Sequence, residues 1–248
     1  MLAADRQKII LEMVREAGSV QVEELAQKLQ VSAMTIRRDL VKLQKEDMLK
    51  RCHGGAVIHE EADYVEKQAE NVSEKQQLAM RCRSLVKKGD TIFLDAGTTT
   101  YEIAKQIKDI PEILIVTNDL EIAGLLKNSE AEVYICGGKI QKSTGSMFDS
   151  YALKMLQDFR FDIGFFGAAS INDDFDTMTP TVDKMWLKRE TPKQCRQSYL
   201  VVDASKFGKH AMTRIMHLKE YTGIVTNKTF NEEEMTKLQE KHVNLLSI

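Results

Sequence analysis

The sequence predicts an α/β chain in two parts. A small, mostly helical unit spans residues 1–57, residues 58–74 form a linker, and residues 75–248 form a larger unit built on a largely parallel sheet. Three observations predict this. Apolar residues recur at helical spacing through the first part. From residue 75 onward, short apolar runs alternate with amphipathic segments, the pattern of a parallel sheet covered on both faces. Between the two lies an acidic and polar stretch with little apolar periodicity. A length of 248 residues accommodates two such units.

In the first part, residues 5–17 place Ile9, Ile10, Met13, Val14 and Ala17 on one helical face, stopped by Gly18. Residues 22–29 form a second helix presenting Leu25, Ala26 and Leu29, and Gln30 and Val31 make a tight turn. Ser32 is a good N-cap, because its hydroxyl accepts from free amides in a first helical turn. The third helix runs over residues 32–46, with Ile36, Leu40 and Leu43 facing inward. Arg38 and Lys45 then point outward, flanked by Thr35 and Arg37. Residues 48–57 read as two short strands around Gly54-Gly55, where glycine permits a tight turn and close backbone approach.

Helix, short helix, turn and cationic helix is the order of a DNA-binding helix-turn-helix, with the strands as a wing. The expected DNA-facing residues are Ser32, Thr35, Arg37, Arg38 and Lys42 on the helix and Arg51, His53 and Gly54 on the wing. The blander alternative is a three-helix packing module with a solvated charged face. Charge favours DNA. Residues 32–53 carry six Lys/Arg against three Asp/Glu, although the whole chain has a net charge of −2. A local basic patch attracts a phosphate backbone more than global charge does.

In the second part, a helix over residues 75–87 precedes a strand at 91–94. Further strands fall at 113–116, 133–136, 162–166, 199–202 and 223–226. Ligands of such sheets sit at the carboxyl ends of the strands. The loop holding Asp95, Gly97, Thr98, Thr99 and Thr100 combines hydroxyls with a helix N-terminus, an anion cradle suited to phosphate. The alternative is a capped helix whose threonines serve only the backbone. Thr117, Asn118, Gly137, Gly138, the run Gly167-Ala168-Ala169-Ser170 and the run 203–208 occupy the other strand ends. Lys188 and Lys206 offer ammonium groups, though a solvated helix face is the blander reading of Lys188. Pro192 is expected to break or kink the helix carrying Lys188.

Cys52, Cys82, Cys136 and Cys195 are scattered, without metal-ligand spacing, as in reduced cytoplasmic proteins. No apolar window is long enough for a membrane span, and the first residues lack a signal-peptide core. Neither metal nor cofactor is expected.

Val31-Ser32, Met34 to Leu40, Arg51 and His53-Gly54-Gly55-Ala56 resemble the N-terminal signature of the DeoR-type bacterial transcription regulators. Asp95-Ala-Gly-Thr-Thr, Val116-Thr-Asn, Gly137-Gly, Lys188-Arg189 and Asp203-Ala-Ser-Lys-Phe-Gly stand where that family's effector-pocket motifs stand, so the resemblance covers nearly the whole chain. It implies a winged helix-turn-helix that binds operator DNA, usually as a repressor, with Thr35, Arg37 and Arg38 in the major groove. It also implies a sensor similar in fold to ribose-5-phosphate isomerases, taking a phosphorylated sugar at Asp95, Gly97, Thr98, Thr99, Thr117, Asn118, Gly137, Gly138, Lys188, Asp203 and Lys206.

The chain departs from that pattern. The family often has Gly-Ala-Asp-Gly at residues 167–170 and Glu-Ala-Glu-Val-Lys at 184–188, where this chain has Ala169, Ser170, Lys184, Met185 and Trp186. Asp149 stands at a frequent glycine. A less acidic and bulkier site is expected. The expected protein is a cytoplasmic, homodimeric or homotetrameric repressor of sugar-metabolism genes, without catalysis. Two alternatives remain open: an isomerase-like enzyme with an appended DNA module, and a regulator that has lost its effector.

Overall fold

The computed structural model describes residues 2–17, 19–45, 48–52, 54–58 and 64–248. The expected roles of Gly18, Glu46 and His53 fall outside the described residues.

The N-terminal unit comprises α1 (Ala3–Ala17), β1 (Ser19–Gln21), α2 (Val22–Leu29), α3 (Ala33–Lys45), β2 (Leu49–Cys52) and β3 (Gly55–Ile58). Ile10, Leu25, Ile36, Leu40 and Leu49 are fully buried in its core, so the helical periodicity is realised as packing. Gln30 ends α2 in the left-handed region, at φ 53°, and its amide turns back to Ala26 and Gln27. β1 is an addition to the expected pair of wing strands: it lies antiparallel to β3, giving the order β1-β3-β2. Three residues are too few to show a period of two. Gly55 is required there, because a Cβ would sit 2.0 Å from the Val20 carbonyl oxygen. The close approach that Gly54-Gly55 permits is therefore to the chain's own strand.

The C-terminal unit follows as α4 (Tyr64–Ala69), α5 (Val72–Arg83), β4 (Thr91–Leu94), α6 (Thr98–Ile107), β5 (Leu114–Thr117), α7 (Leu120–Leu126), β6 (Glu132–Ile135), β7 (Ile140–Gln141) and β8 (Ser146–Met147). Then come α8 (Ser150–Gln157), β9 (Phe161–Phe166), β10 (Ser170–Ile171), β11 (Asp176–Thr179), α9 (Val182–Glu190), β12 (Cys195–Val201), β13 (Thr213–His217), β14 (Gly223–Val225), α10 (Glu232–Glu240) and β15 (Leu245–Leu246). Seven strands form a wholly parallel sheet in the order β15-β14-β12-β9-β4-β5-β6.

Successive strand residues point to opposite faces, and the two cores divide accordingly. Ile92, Leu94, Ile115, Ile163 and Phe165 pack on one face with Leu78, Ile103 and Ile122 of α5, α6 and α7. Phe93, Val116, Phe166 and Leu200 pack on the other with Ala152, Leu156, Leu187 and Leu238 of α8, α9 and α10.

Two features correct or extend the sequence reading. The segment expected as a linker contains α4, anchored where the Tyr64 amide donates to the Ser143 carbonyl at 3.0 Å. Tyr64 also packs edge-on to Tyr101, with ring centroids 6.3 Å apart. A small antiparallel sheet of β10, β11 and β13 went unread, its strands being short and interleaved with other elements. Pro192 acts as expected: α9 ends at Glu190, and a 3₁₀ turn over Thr191–Gln194 carries the proline in its first turn.

Candidate functional site

The first candidate surface is the exposed face of α3. Ser32 caps the helix, its Oγ accepting from the Thr35 amide at 3.1 Å, and its hydroxyl lies 2.9 Å from that of Thr35. Arg37, Arg38 and Lys42 are exposed, as are Arg51 and Gly54 on the wing. Arg37 pairs loosely with Glu23 of α2, at 3.4 Å between two exposed groups. Asp39, within the same motif, points inward. It accepts from Arg6 Nε at 2.6 Å and Gln7 Nε2 at 2.8 Å, tying α1 to α3. One helix thus alternates an inward carboxylate that fixes its position with outward cations left for solvent or a partner.

The second is a cavity of about 770 Å³ at the carboxyl ends of β4 and β9. The chain runs outward from β4 through β5 to β6, then returns to place β9 on the other side of β4. That reversal is the topological switch point, where parallel sheets open a crevice for ligands. The loop after β4 contributes Ala96 to Thr100, the loop after β9 Gly167 to Ser170, α9 Lys184 and Lys188, and the loop after β12 Ser205 and Lys206.

Inside this frame Lys188 is 7% exposed, so the solvated-face alternative for it is overturned. Its Nζ is ion-paired with Asp95 Oδ2 and donates to the Gly167 carbonyl at 2.9 Å. The Gly167 amide donates to the same Asp95 oxygen at 3.1 Å. A buried carboxylate thereby clamps the β4 and β9 loops together and fixes the lysine between them.

The β5 loop supports the β4 loop. Asn118 Oδ1 accepts from the Ala96 amide at 2.9 Å, and Asp119 Oδ2 accepts from the Gly97 amide at 3.1 Å. Burial raises Asp119 to about 6 against the pull of the Ile122, Glu121 and Gly97 amides, which all donate to it. Gly97 adopts φ 155°, ψ 165°, a region essentially reserved for glycine. Helix α6 begins immediately after it, its first internal bond running from the Tyr101 amide to Gly97 O at 3.0 Å. The amides of Thr98, Thr99 and Thr100 precede that bond, as at any helix start.

Of the residues expected to meet an effector, Gly97, Thr98, Thr99, Lys188 and Lys206 line the cavity. Asp95 lies behind Lys188. Asp203 accepts from the Ser205 amide at 2.8 Å and caps that turn. Thr117 and Asn118 are fully buried: Thr117 Oγ1 donates to Leu94 O at 2.8 Å, and Asn118 Nδ2 donates to Met147 O at 3.1 Å. The Gly137-Gly138 turn closes over Asp149, which accepts from the Lys139 amide at 2.7 Å and caps α8. These four sit in the scaffold, beyond the cavity lining.

The sequence reading missed three cavity lysines, Lys67 of α4, Lys75 of α5 and Lys209 in the segment between β12 and β13. Lys75 donates to the Lys67 carbonyl and, at 2.6 Å, to the Glu70 carbonyl. Lys67 is pulled down to about 7, first by burial and then by the positive charges of Lys206 and Lys188, against the opposing influence of Glu70. Only the crowding of cations in three dimensions reveals this; nothing in the one-dimensional spacing of Lys67 does.

The expectation of a bulkier site is corrected. Trp186 is 54% exposed and neither it nor Met185 lines the cavity, because on α9 they point away from the face shared by Lys184 and Lys188.

Among the described residues no group of His, Cys, Asp and Glu could hold a metal ion, and no helix is long and apolar enough to cross a membrane.

A winged helix-turn-helix joined to a parallel α/β unit with a ligand cavity defines a class of transcription regulator with a C-terminal sensor. Residues 6–62 match the family model for the DeoR-like helix-turn-helix domain, and residues 70–228 match that for the DeoR C terminal sensor domain. The chain belongs to the DeoR family of transcriptional regulators. It is 36% identical to an uncharacterized HTH-type transcriptional regulator, YgbI, of Escherichia coli (strain K12), over 99% of this chain and 98% of that protein. It is 29% identical to the glycerol-3-phosphate regulon repressor of the same organism, over 99% of each chain. A solved ribose 5-phosphate isomerase from Plasmodium falciparum aligns with 55% of this chain and 53% of its own at 12% identity, with a TM-score of 0.41, too loose for any argument about chemistry.

Proposed function

We propose that this regulator is a cytoplasmic repressor of carbohydrate-metabolism genes whose operator affinity is set by a phosphorylated sugar held in the cavity at the β4–β9 switch point. The observation that carries the reading is the convergence of Lys67, Lys188 and Lys206 with the start of α6 in one cavity. Helix N-termini and ammonium groups both favour an anion. Thr98, Thr99 and Lys206 take the phosphate; Lys188, fixed by Asp95, orients the sugar. Ser32, Thr35, Arg37, Arg38 and Lys42 enter the major groove, with Arg51 and Gly54 of the wing on the backbone. Paired half-sites require paired reading helices, so the working form is a homodimer or homotetramer.

The role is sensing rather than turnover. Isomerisation needs a base positioned within reach of substrate, and Asp95 and Asp203 are the loop carboxylates at hand. Asp95 is fully buried behind Lys188, which pairs with its Oδ2, and Asp203 caps its own turn through Oδ1. The relation to the glycerol-3-phosphate regulon repressor supports a phosphorylated metabolite as effector.

The test is a duplex selected from a random pool by the full chain, titrated with and without a panel of sugar phosphates. The expected result is a shift in duplex affinity for at least one compound, no turnover of any, and a reduced shift in Thr98→Ala and Lys206→Ala. A panel that leaves affinity unchanged, or variants that respond like the parent, would overturn the reading.

A further inference from the structure

Helix α9 has two working faces. Lys188 turns into the cavity, while Val182 and Trp186, one turn apart on the other side, are 49% and 54% exposed. Trp186 is the chain's only tryptophan. Arg189, three residues on, lays its guanidinium over the indole, 5.8 Å from the ring centroid. That guanidinium is already held in place: Nε donates to the Ile215 carbonyl at 2.8 Å and Nη2 to the Arg214 carbonyl at 2.5 Å. Tryptophan, tyrosine and arginine dominate the energetics of protein–protein contacts. A side chain ordered beforehand loses little freedom on docking.

The charges on this face say what it fits. Asp183, exposed, stands three residues before Trp186, and Arg189 stands three residues after it. All three therefore share one side of the helix. The arrangement is complementary to itself. When two copies of α9 cross antiparallel about a two-fold axis at Trp186, Asp183 of each copy faces Arg189 of the other, and the two indoles meet between these pairs. A parallel crossing opposes like charges instead. A two-fold contact uses the same patch on both subunits, so self-complementarity is the property it requires. One short helix is less than the roughly 800 Å² per partner of a stable interface. Tyr151, 75% exposed in the first turn of α8, adds area beside it, because α8 packs against α9.

We propose that the exposed face of α9 is the interface between two copies of this chain, an isologous contact centred on Trp186. This rests on the paired-subunit form proposed above and gives it a surface. The contact lies on the back of the helix that carries Lys188, so effector and partner copy bear on one element.

The single tryptophan makes the contact readable in the full chain. Sedimentation velocity and tryptophan emission are followed through a dilution series. The expected result is a dimer at high concentration, with an emission maximum that moves to longer wavelength in step with dissociation as the indole passes from contact to water. Asp183→Arg, at an exposed position, sets like charges against each other and should weaken the dimer by about tenfold or more, with the circular dichroism of the parent retained. Arg189→Glu should weaken it similarly. Mixing these two variants should restore a dimer, because only the mixed pair opposes unlike charges, a rescue that loss of fold in either variant cannot produce. An Asp183→Arg chain that dimerises as tightly as the parent, or an emission maximum that ignores dissociation, overturns this inference and leaves the paired form to another surface. A parent that stays monomeric even on the selected duplex overturns both.

Discussion

At the scale of single residues, the sensor is decided by where lysines are buried. Lys188 is ion-paired with Asp95, which sits behind it. Lys67 has a poorer environment: burial acts first, then Lys206 and Lys188 repel it, and Glu70 compensates only in part, leaving it near 7. Anion binding favours the protonated ammonium, so ligation raises that pKa. The sign follows directly. At a pH above about 7, binding takes up a proton, and affinity falls as pH rises, by at most tenfold per pH unit for one linked proton. A phosphate monoester is already mostly dianionic above about pH 6, so its own titration does not mask the trend. Calorimetry of the tightest-binding panel compound in two buffers of different ionisation heat should show proton uptake in the parent and none in Lys67→Gln. Equal uptake in both would assign the linked proton to another group.

At the scale of elements, the reading helix and the parallel strands were legible in the sequence, and the reasons are local. Ser32, Ile36, Leu40 and Leu43 specify the cap and inward face of α3 within twelve residues of one another. Apolar runs at β4, β5, β9 and β12 specify strands buried on both faces. Asp39 was not legible, because its partners Arg6 and Gln7 lie 33 and 32 positions away. Nor was the division of strand-end loops into lining and support. Thr117, Asn118, Gly137 and Gly138 carry the same residue types as the cavity loops, but β5 and β6 lie outward from the β4–β9 junction. Only strand order separates the two sets, and strand order is set by long-range packing. α4 was missed because six residues hold too few apolar positions for a helical period. The exposure of α3 supports one prediction at this scale. Arg38→Ala should weaken specific duplex binding by about 1–3 kcal/mol, the usual loss for a base-contacting arginine, while sugar-phosphate affinity stays unchanged. Fluorescence anisotropy at physiological salt measures the first and calorimetry the second. Undiminished duplex affinity would remove Arg38 from the reading surface.

At the scale of the whole molecule, the two sites are joined through α4. It follows the wing in sequence, is pinned to the sensor by Tyr64 through Ser143 and Tyr101, and carries Lys67 into the cavity. The carbonyls of Lys67 and Glu70 both accept from Lys75 of α5. A ligand that recruits Lys67 therefore acts on the one described helix lying between wing and sensor. If ligand and duplex prefer different arrangements of that joint, their affinities are coupled, and the coupling is reciprocal. The factor by which saturating effector changes the duplex Kd must equal the factor by which saturating duplex changes the effector Kd. Coupling of this kind is commonly about 5- to 150-fold, within reach of paired anisotropy and calorimetric titrations. Lys67→Gln should shrink both factors together while the duplex affinity of the effector-free protein holds. A duplex Kd that saturating effector leaves unchanged would mean that effector and duplex are not coupled through a shared conformational equilibrium. Equal factors that survive Lys67→Gln would place the joint elsewhere than α4.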